Sequence, residues 1–245
     1  MKTVIALGII GFSSAALAHG GTSEDKSDAI ITIQPARDAS YNESFASRRK
    51  PVAMRDDPGM LNVDKGRAAV GDFTKCLYDS DKAGASRVLS APPGMALRKE
   101  VTSFANGQCW LRGFLKFRPS ALQGALFVTA YRARFSKLPP PLAEAPIDYS
   151  TITSTAGPAL SGPYVALRRF GECVVRTNEE TAHALVLADV NTSAESQAFS
   201  ALMPALSACL DTGQSVALTK ELAKSTLAEV LYRHASNTAP VGSGR

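Results

Sequence analysis

The sequence is poor in the residues that most often carry chemistry. Of its 245 residues only three are His and one is Trp, and aromatic residues make up 7%. It contains no G-x-S-x-G elbow, no H-E-x-x-H, no G-x-x-x-x-G-K-[ST] loop and no G-x-G-x-x-G turn. Hydrolase, zinc-protease and nucleotide sites built from those local spacings are therefore not expected. There is no C-x-x-C pair, which argues against structural zinc. After the first residues no apolar run approaches the ~20 residues that a bilayer-spanning helix needs. The formal net charge of +5 is too mild to imply a nucleic-acid partner.

What is present begins with an export signal. Met1-Lys2 gives a charged start, Val4 to Phe12 is apolar, and Ala16-Leu17-Ala18 supplies small residues for cleavage. Cutting after Ala18 removes Lys2 alone among the charged residues, leaving 26 basic against 22 acidic side chains, or +4. The mature chain is expected in the periplasm or outside the cell, with no transmembrane segment. Its cysteines, Cys76, Cys109, Cys173 and Cys209, are even in number, and in an oxidising compartment that favours two disulfides.

Two blocks, 67–137 and 165–236, match each other. The first carries Phe73-x-x-Cys76, Cys109-x-x-x-Gly113 and Tyr131-Arg132. The second carries Phe170-x-x-Cys173, Cys209-x-x-x-Gly213 and Tyr232-Arg233, at offsets of 97, 100 and 101. Apolar positions share the register: Val70, Phe73 and Leu77 correspond to Leu167, Phe170 and Val174. This agreement is the signature of a duplicated unit. The apolar residues recur at i, i+3, i+4 and i+7, the helical period. Four helices per block follow, at about 68–78, 80–91, 95–108 and 119–135, then about 165–177, 179–190, 193–210 and 219–235. Thr177-x-x-Glu180 and Thr192-x-x-Glu195 have the form of capping boxes, Pro119 suits a first helical turn, and Asp79 and Asp81 sit where a cap would use them.

The expected fold is thus all-α, with two tandem helical repeats of about four helices, each with an internal disulfide. Cys76 pairing with Cys109 and Cys173 with Cys209 needs only two helices of one block to meet. In the chain-entropy model, closing a loop of ~33 residues stabilises by ~3.7 kcal/mol. Residues 19–66, broken by Pro35, Pro51 and Pro58, show no sustained period and read as a flexible polar arm. Residues 138–164 hold six of the fourteen prolines and read as a linker or wrapping segment. The tail at 237–245 is too polar and broken to pack.

Candidate functional residues are few. His19, at the expected mature N-terminus, is a weak copper-chelating candidate. His183 and His234 lie on helices of the second block, and their first-block counterparts are Ser86 and Ala133. The repeated Tyr-Arg pair admits two readings. It could form pseudo-symmetric anion sites around Arg132 and Arg233. The more economical reading is that each Arg answers a helix C-terminus while its Tyr packs with the hydroxyl outward.

Charge is uneven. From Arg98 to Lys137 eight basic residues face one acid, Glu100, whereas block 165–236 has six bases against eight acids. Residues 110–118 alternate cationic and apolar side chains in a loop after Cys109. Arg112, Lys116 and Arg118 there are candidates for contact with an anionic envelope component or an acidic protein, although lysines and arginines around tucked-in apolar groups explain the pattern more simply. The functional expectation is a non-enzymatic binding or scaffold protein at the cell envelope, without metal or cofactor. The rival is an envelope hydrolase whose residues form no local motif.

Overall fold

The computed structural model describes residues 30–33, 50–52, 59–106, 109–110, 115–152, 158–210 and 218–238. The expected signal at 1–18, His19, Arg112 and the tail beyond 238 lie outside them. Two very short strands, β1 (Ile31–Ile33) and β2 (Lys50–Pro51), come first. Helices α1 (Asn62–Ser80), α2 (Lys82–Ser90) and α3 (Met95–Ala105) follow, then β3 (Cys109–Trp110), β4 (Leu115–Phe117) and α4 (Pro119–Arg134). A single turn, α5 (Tyr149–Ile152), leads into α6 (Pro158–Thr177), α7 (Glu179–Leu187), α8 (Ser193–Ala208) and α9 (Lys220–Thr238). Helix dominates, and among the described residues no helix is long and apolar enough to cross a membrane.

The helix starts follow local chemistry. The Asp81 carboxylate accepts from the Gly84 N–H at 2.8 Å and opens α2. Gly94, at φ 105°, holds the left-handed turn before α3 that a side chain would strain. Pro119 occupies the first turn of α4. Thr192 caps α8 by accepting from the Glu195 N–H at 3.2 Å, while Glu195 reaches back to the Asn191 N–H at 3.1 Å. Thr177-x-x-Glu180, in contrast, is not a capping box. Helix α6 runs through Thr177, whose hydroxyl bonds back to the Cys173 carbonyl, and Asn178 caps α7 instead.

Three further expectations need correction. First, 19–66 is not uniformly an unpaired arm, and the segment after Cys109 is not all loop. β1 pairs antiparallel with β4, Ile31 opposite Phe117, and β2 pairs parallel with β3, Lys50 opposite Cys109. Strands of two or three residues are too short to carry an alternating pattern, and their ladders join segments far apart in sequence. Second, α1 begins at Asn62, before the expected 68. Third, α6 begins at Pro158 and passes through Pro163. Pro163 is the sixth residue of this helix, so it removes one helical hydrogen bond.

The disulfides join Cys76 to Cys109 and Cys173 to Cys209. One ties α1 to β3, and the other ties α6 to the C-terminal end of α8. In the middle of the molecule α4 lies on α9, with α1 packed on α4 and α6 on α9. All four contribute to one continuous core. Phe73, Leu77, Leu122, Leu126, Phe127, Leu227 and Leu231 are fully buried, each such burial contributing ~1.5–3 kcal/mol. The Pro-rich segment wraps onto the second half, and Tyr149 within it is only 1% exposed.

Candidate functional site

The two Tyr-Arg pairs sit on the central helices, and their arginines cross the seam in opposite directions. Arg132 on α4 donates from Nε to the Val186 carbonyl at 2.8 Å and from Nη2 to Leu187 O at 2.9 Å and to Ala188 O. These are carbonyls left open at the C-terminal end of α7, in the second half. Arg233 on α9 donates from Nη2 to the Leu89 carbonyl at 3.4 Å, at the end of α2 in the first half. Each guanidinium thus answers a helix end as expected, but the end belongs to the other half. Each half also closes that end with a residue of its own last helix. Gln123 donates to Val88 O and Ala91 O at 2.9 and 3.0 Å, and the Lys224 ammonium donates to Ala188 O.

Tyr131 departs from expectation. Its hydroxyl points inward, fully buried, and hydrogen-bonds His183 Nδ1 at 2.7 Å. Burial, assisted by the Glu179 charge, pushes the Tyr131 pKa up, and burial pushes His183 down, so both stay neutral at ordinary pH. His183 Nε2 is buried with no partner among the described residues. The half-buried Tyr232 packs edge-on against Phe127, ring centroids 5.7 Å apart.

Two carboxylates anchor ionic clusters in the interior. Glu229, 1% exposed, bonds Arg168 at 2.7 Å and Arg233 at 2.9 Å and accepts from the Tyr164 hydroxyl. Burial alone would raise its pKa, but the two guanidiniums and the tyrosine outweigh it and the net direction is down. Glu195, fully buried, accepts from Arg67 at 2.6 Å and Lys224 at 3.2 Å. It too is held below the usual carboxylate range despite its burial. Lys224 is lowered to about 8 by burial first and by the Arg132 charge second, against the pull of Glu195. A third set joins Glu172 to His234 Nε2 at 2.8 Å, Arg176 at 2.9 Å and the Tyr149 hydroxyl at 3.1 Å, while His234 Nδ1 accepts from the Ala143 N–H at 3.1 Å. An accepting Nδ1 places the ring proton on Nε2, so a neutral imidazole satisfies both bonds.

Above the Glu195 cluster a groove of ≈ 390 Å³ opens between α1, α4 and the start of α9. Its apolar surface includes Val70, Ala125 and Val128, with Gly71 leaving room on α1. Its rim carries the Lys75–Asp79 ion pair at 2.6 Å and the Arg132–Asp189 pair at 3.1 Å. The volume lies in the range of small-ligand sites.

The basic segment takes another face. On β4, Leu115 and Phe117 are buried and Lys116 is exposed, as is Arg118 just after the strand. Phe117 packs on Phe73, ring centroids 6.4 Å apart. The structure therefore brings Lys116 and Arg118 to one edge and spends Arg132 and Arg233 on protein acceptors at the seam. Sequence reasoning missed Arg67, Glu172, Lys224 and Glu229. Only Glu195 had a local signal, its capping spacing, and nothing in that spacing announces the cations that meet it. Among the described residues no group of three or more His, Cys, Asp or Glu is placed to hold a metal.

Comparison with protein-family models, with curated proteins and with solved structures found no match.

Proposed function

We propose that the chain is an exported, non-catalytic binding protein built from two copies of one helical unit, and that its first half presents a basic edge to an anionic component of the cell envelope. One observation carries the reading: the ionisable groups divide between interior and edge. Glu172, Glu195, Glu229 and His234 are buried and bonded to protein partners and do not line the groove, so they brace the architecture; Lys224, which does line it, is held by Glu195 and the Ala188 carbonyl. Lys116 and Arg118 are exposed at this edge.

Duplication is supported by the seam. Leu89 and Val186 correspond at offset 97, and Arg132 and Arg233 at offset 101. The crossing bonds therefore link equivalent places in both directions, as across a two-fold interface. The disulfides repeat the arrangement within each half. Export is supported by those same bonds, which persist in oxidising compartments, and by the N-terminal sequence.

The test uses the mature, oxidised protein with vesicles containing anionic phospholipid, and separately with an acidic polysaccharide, at low salt. Binding that weakens steeply with salt and is lost in the combined Arg112→Ala, Lys116→Ala, Arg118→Ala variant is the expected result. Absence of wild-type binding to either surface removes the proposal.

A further inference from the structure

The Pro-rich segment is held on the second half by few polar bonds. Pro139, Pro140, Pro141 and Pro146 have no N–H to give. Between 136 and 146 the main chain hydrogen-bonds to other described residues at Ala143 alone. Its N–H donates to His234 Nδ1 at 3.1 Å, on α9, and its carbonyl accepts from Arg176 Nη2 at 2.8 Å, on α6. Leu142 and Ile147 pack against the core on either side. Beyond them the buried Tyr149 anchors the far end, its hydroxyl donating to Glu172 at 3.1 Å. The segment is thus a strap with one polar latch, and half of that latch is a histidine ring.

The ring serves only while it is neutral. Its Nε2 bonds Glu172 Oε1 at 2.8 Å, which leaves the Nδ1 lone pair to the Ala143 N–H. Imidazolium carries a hydrogen on both nitrogens. Its Nδ1–H would face the Ala143 N–H across the same 3.1 Å, donor against donor. His234 is fully buried, so water does not reach that hydrogen while Ala143 covers it. The groups around the ring accept the charge itself. Glu172 faces it from α6, and the Glu179 carboxylate on α7 interacts with it. Arg176 is bonded to Glu172 and to the strap. Burial pushes the Tyr149 hydroxyl well up, which keeps it neutral. His183 on α7 is bonded to Tyr131, and Arg233, next along α9, to Glu229. From α4, Arg132 goes to the α7 carbonyls and Arg134 lies over Phe135 and Tyr232. Charging the ring is therefore favoured by carboxylates and opposed at Ala143, so the strap is the part that gives way.

We infer that His234 is a proton-operated latch: a proton taken up at Nδ1 breaks the bond to Ala143 and lifts residues 138–147 off α6 and α9, with Tyr149 holding the far end. Histidine is the side chain whose charge ordinarily changes between pH 5 and 8, so release follows acidification across that interval. The released strap leaves His234 free to bind a proton that the closed one excludes. The ratio of released to closed strap therefore rises by up to tenfold for each pH unit of acidification. Release uncovers His234 and Arg176, which makes access to this face of the second half depend on acidity. The inference is independent of the function proposed for the basic edge.

The test is exchange of the Ala143 amide hydrogen, followed by NMR on the full oxidised protein at pH 7.5 and 5.5 and corrected for the intrinsic effect of pH. Its protection is expected to fall at least tenfold at the lower pH, while amides in the middle of α4 and α9 keep theirs. Cleavage within 142–147 by a protease active at both pH values, measured against an unstructured control peptide, is expected to rise in parallel. His234→Gln takes up no proton and is expected to show neither change. Unaltered Ala143 protection at pH 5.5, an equal fall in His234→Gln, or a fall shared by α4 and α9 overturns the inference. So does loss of protection without added cleavage. Ring nitrogen shifts of His234 supply a check that needs no substitution. Imidazolium in molecules whose Ala143 amide is as protected as at pH 7.5 overturns the latch, and imidazolium gained in step with lost protection supports it.

Discussion

Gly124 on α4 faces Ser225 on α9 so closely that a Cβ added to the glycine would stand 2.6 Å from the serine Cβ. Under the proposed duplication the two positions correspond at offset 101, so the central helices would touch where the seam meets its own image, as in an isologous contact. Gly124→Val is accordingly expected to destabilise the protein by ~1–3 kcal/mol through overpacking, read as a lower urea midpoint. Gly66→Ala on α1 is the control. Its added methyl meets nothing within 4 Å, and the change should raise stability by ~0.5–1 kcal/mol. Equal effects at both glycines would show that the close approach does not govern packing.

The crossing arginines differ in what they leave behind. Arg132→Ala strips donors from the α7 carbonyls and should cost ~1.5–3 kcal/mol. Arg233→Ala should cost more, because buried Glu229 loses one of its two cations. Arg132→Lys is not expected to rescue, since a single ammonium cannot reproduce the fork that reaches Val186, Leu187 and Ala188. Urea unfolding of the three variants decides it, and a full rescue by lysine would count against the carbonyl clasp.

Each disulfide closes a loop of similar length, with cysteines 33 and 36 residues apart. Cys76→Ser with Cys109→Ser, and Cys173→Ser with Cys209→Ser, should therefore destabilise by similar amounts, ~2–4 kcal/mol each. Thermal unfolding with and without reductant gives the comparison. Losses very different in size would mean that one bond acts on a half already held by other packing.

Lys224 gives a pH signature. Its folded pKa of about 8 lies below the ordinary 10.5, so between those values the folded chain holds fewer protons than the unfolded one. Its contribution to stability rises as pH climbs through that window, by at most ~1.4 kcal/mol per pH unit. Tyr131, Tyr149 and Tyr164, whose pKa values are pushed up, act in the opposite sense above pH 10. The comparison is therefore wild type against Lys224→Met between pH 8 and 10, where wild type should gain ground. Parallel stability curves would contradict the depressed value.

Much of the helical layout was legible because it depends on local periodicity. Phe73 and Leu77, or Leu185 and Val186, declare a buried face by spacing alone. Cysteine pairing was legible because bonding within a block asks for one meeting of two helices. The destinations of polar side chains were not. Glu229 is an ordinary mid-helix glutamate until Arg168 and Tyr164 arrive from 61 and 65 residues away. Arg132 looks like a C-terminal arginine on its own helix, and only the docking of the halves reveals which helix it closes. The short ladders and the start of α6 at Pro158 escaped for a related reason: no periodic pattern precedes them, and tertiary contact overrides the breakers.

The disulfides connect cysteines that follow one another along the chain, first to second and third to fourth. A polypeptide that emerges into an oxidising space amino end first offers its thiols in the same order in which they end up joined. On the export proposed above, first-come pairing during emergence would reach the final connectivity without reshuffling.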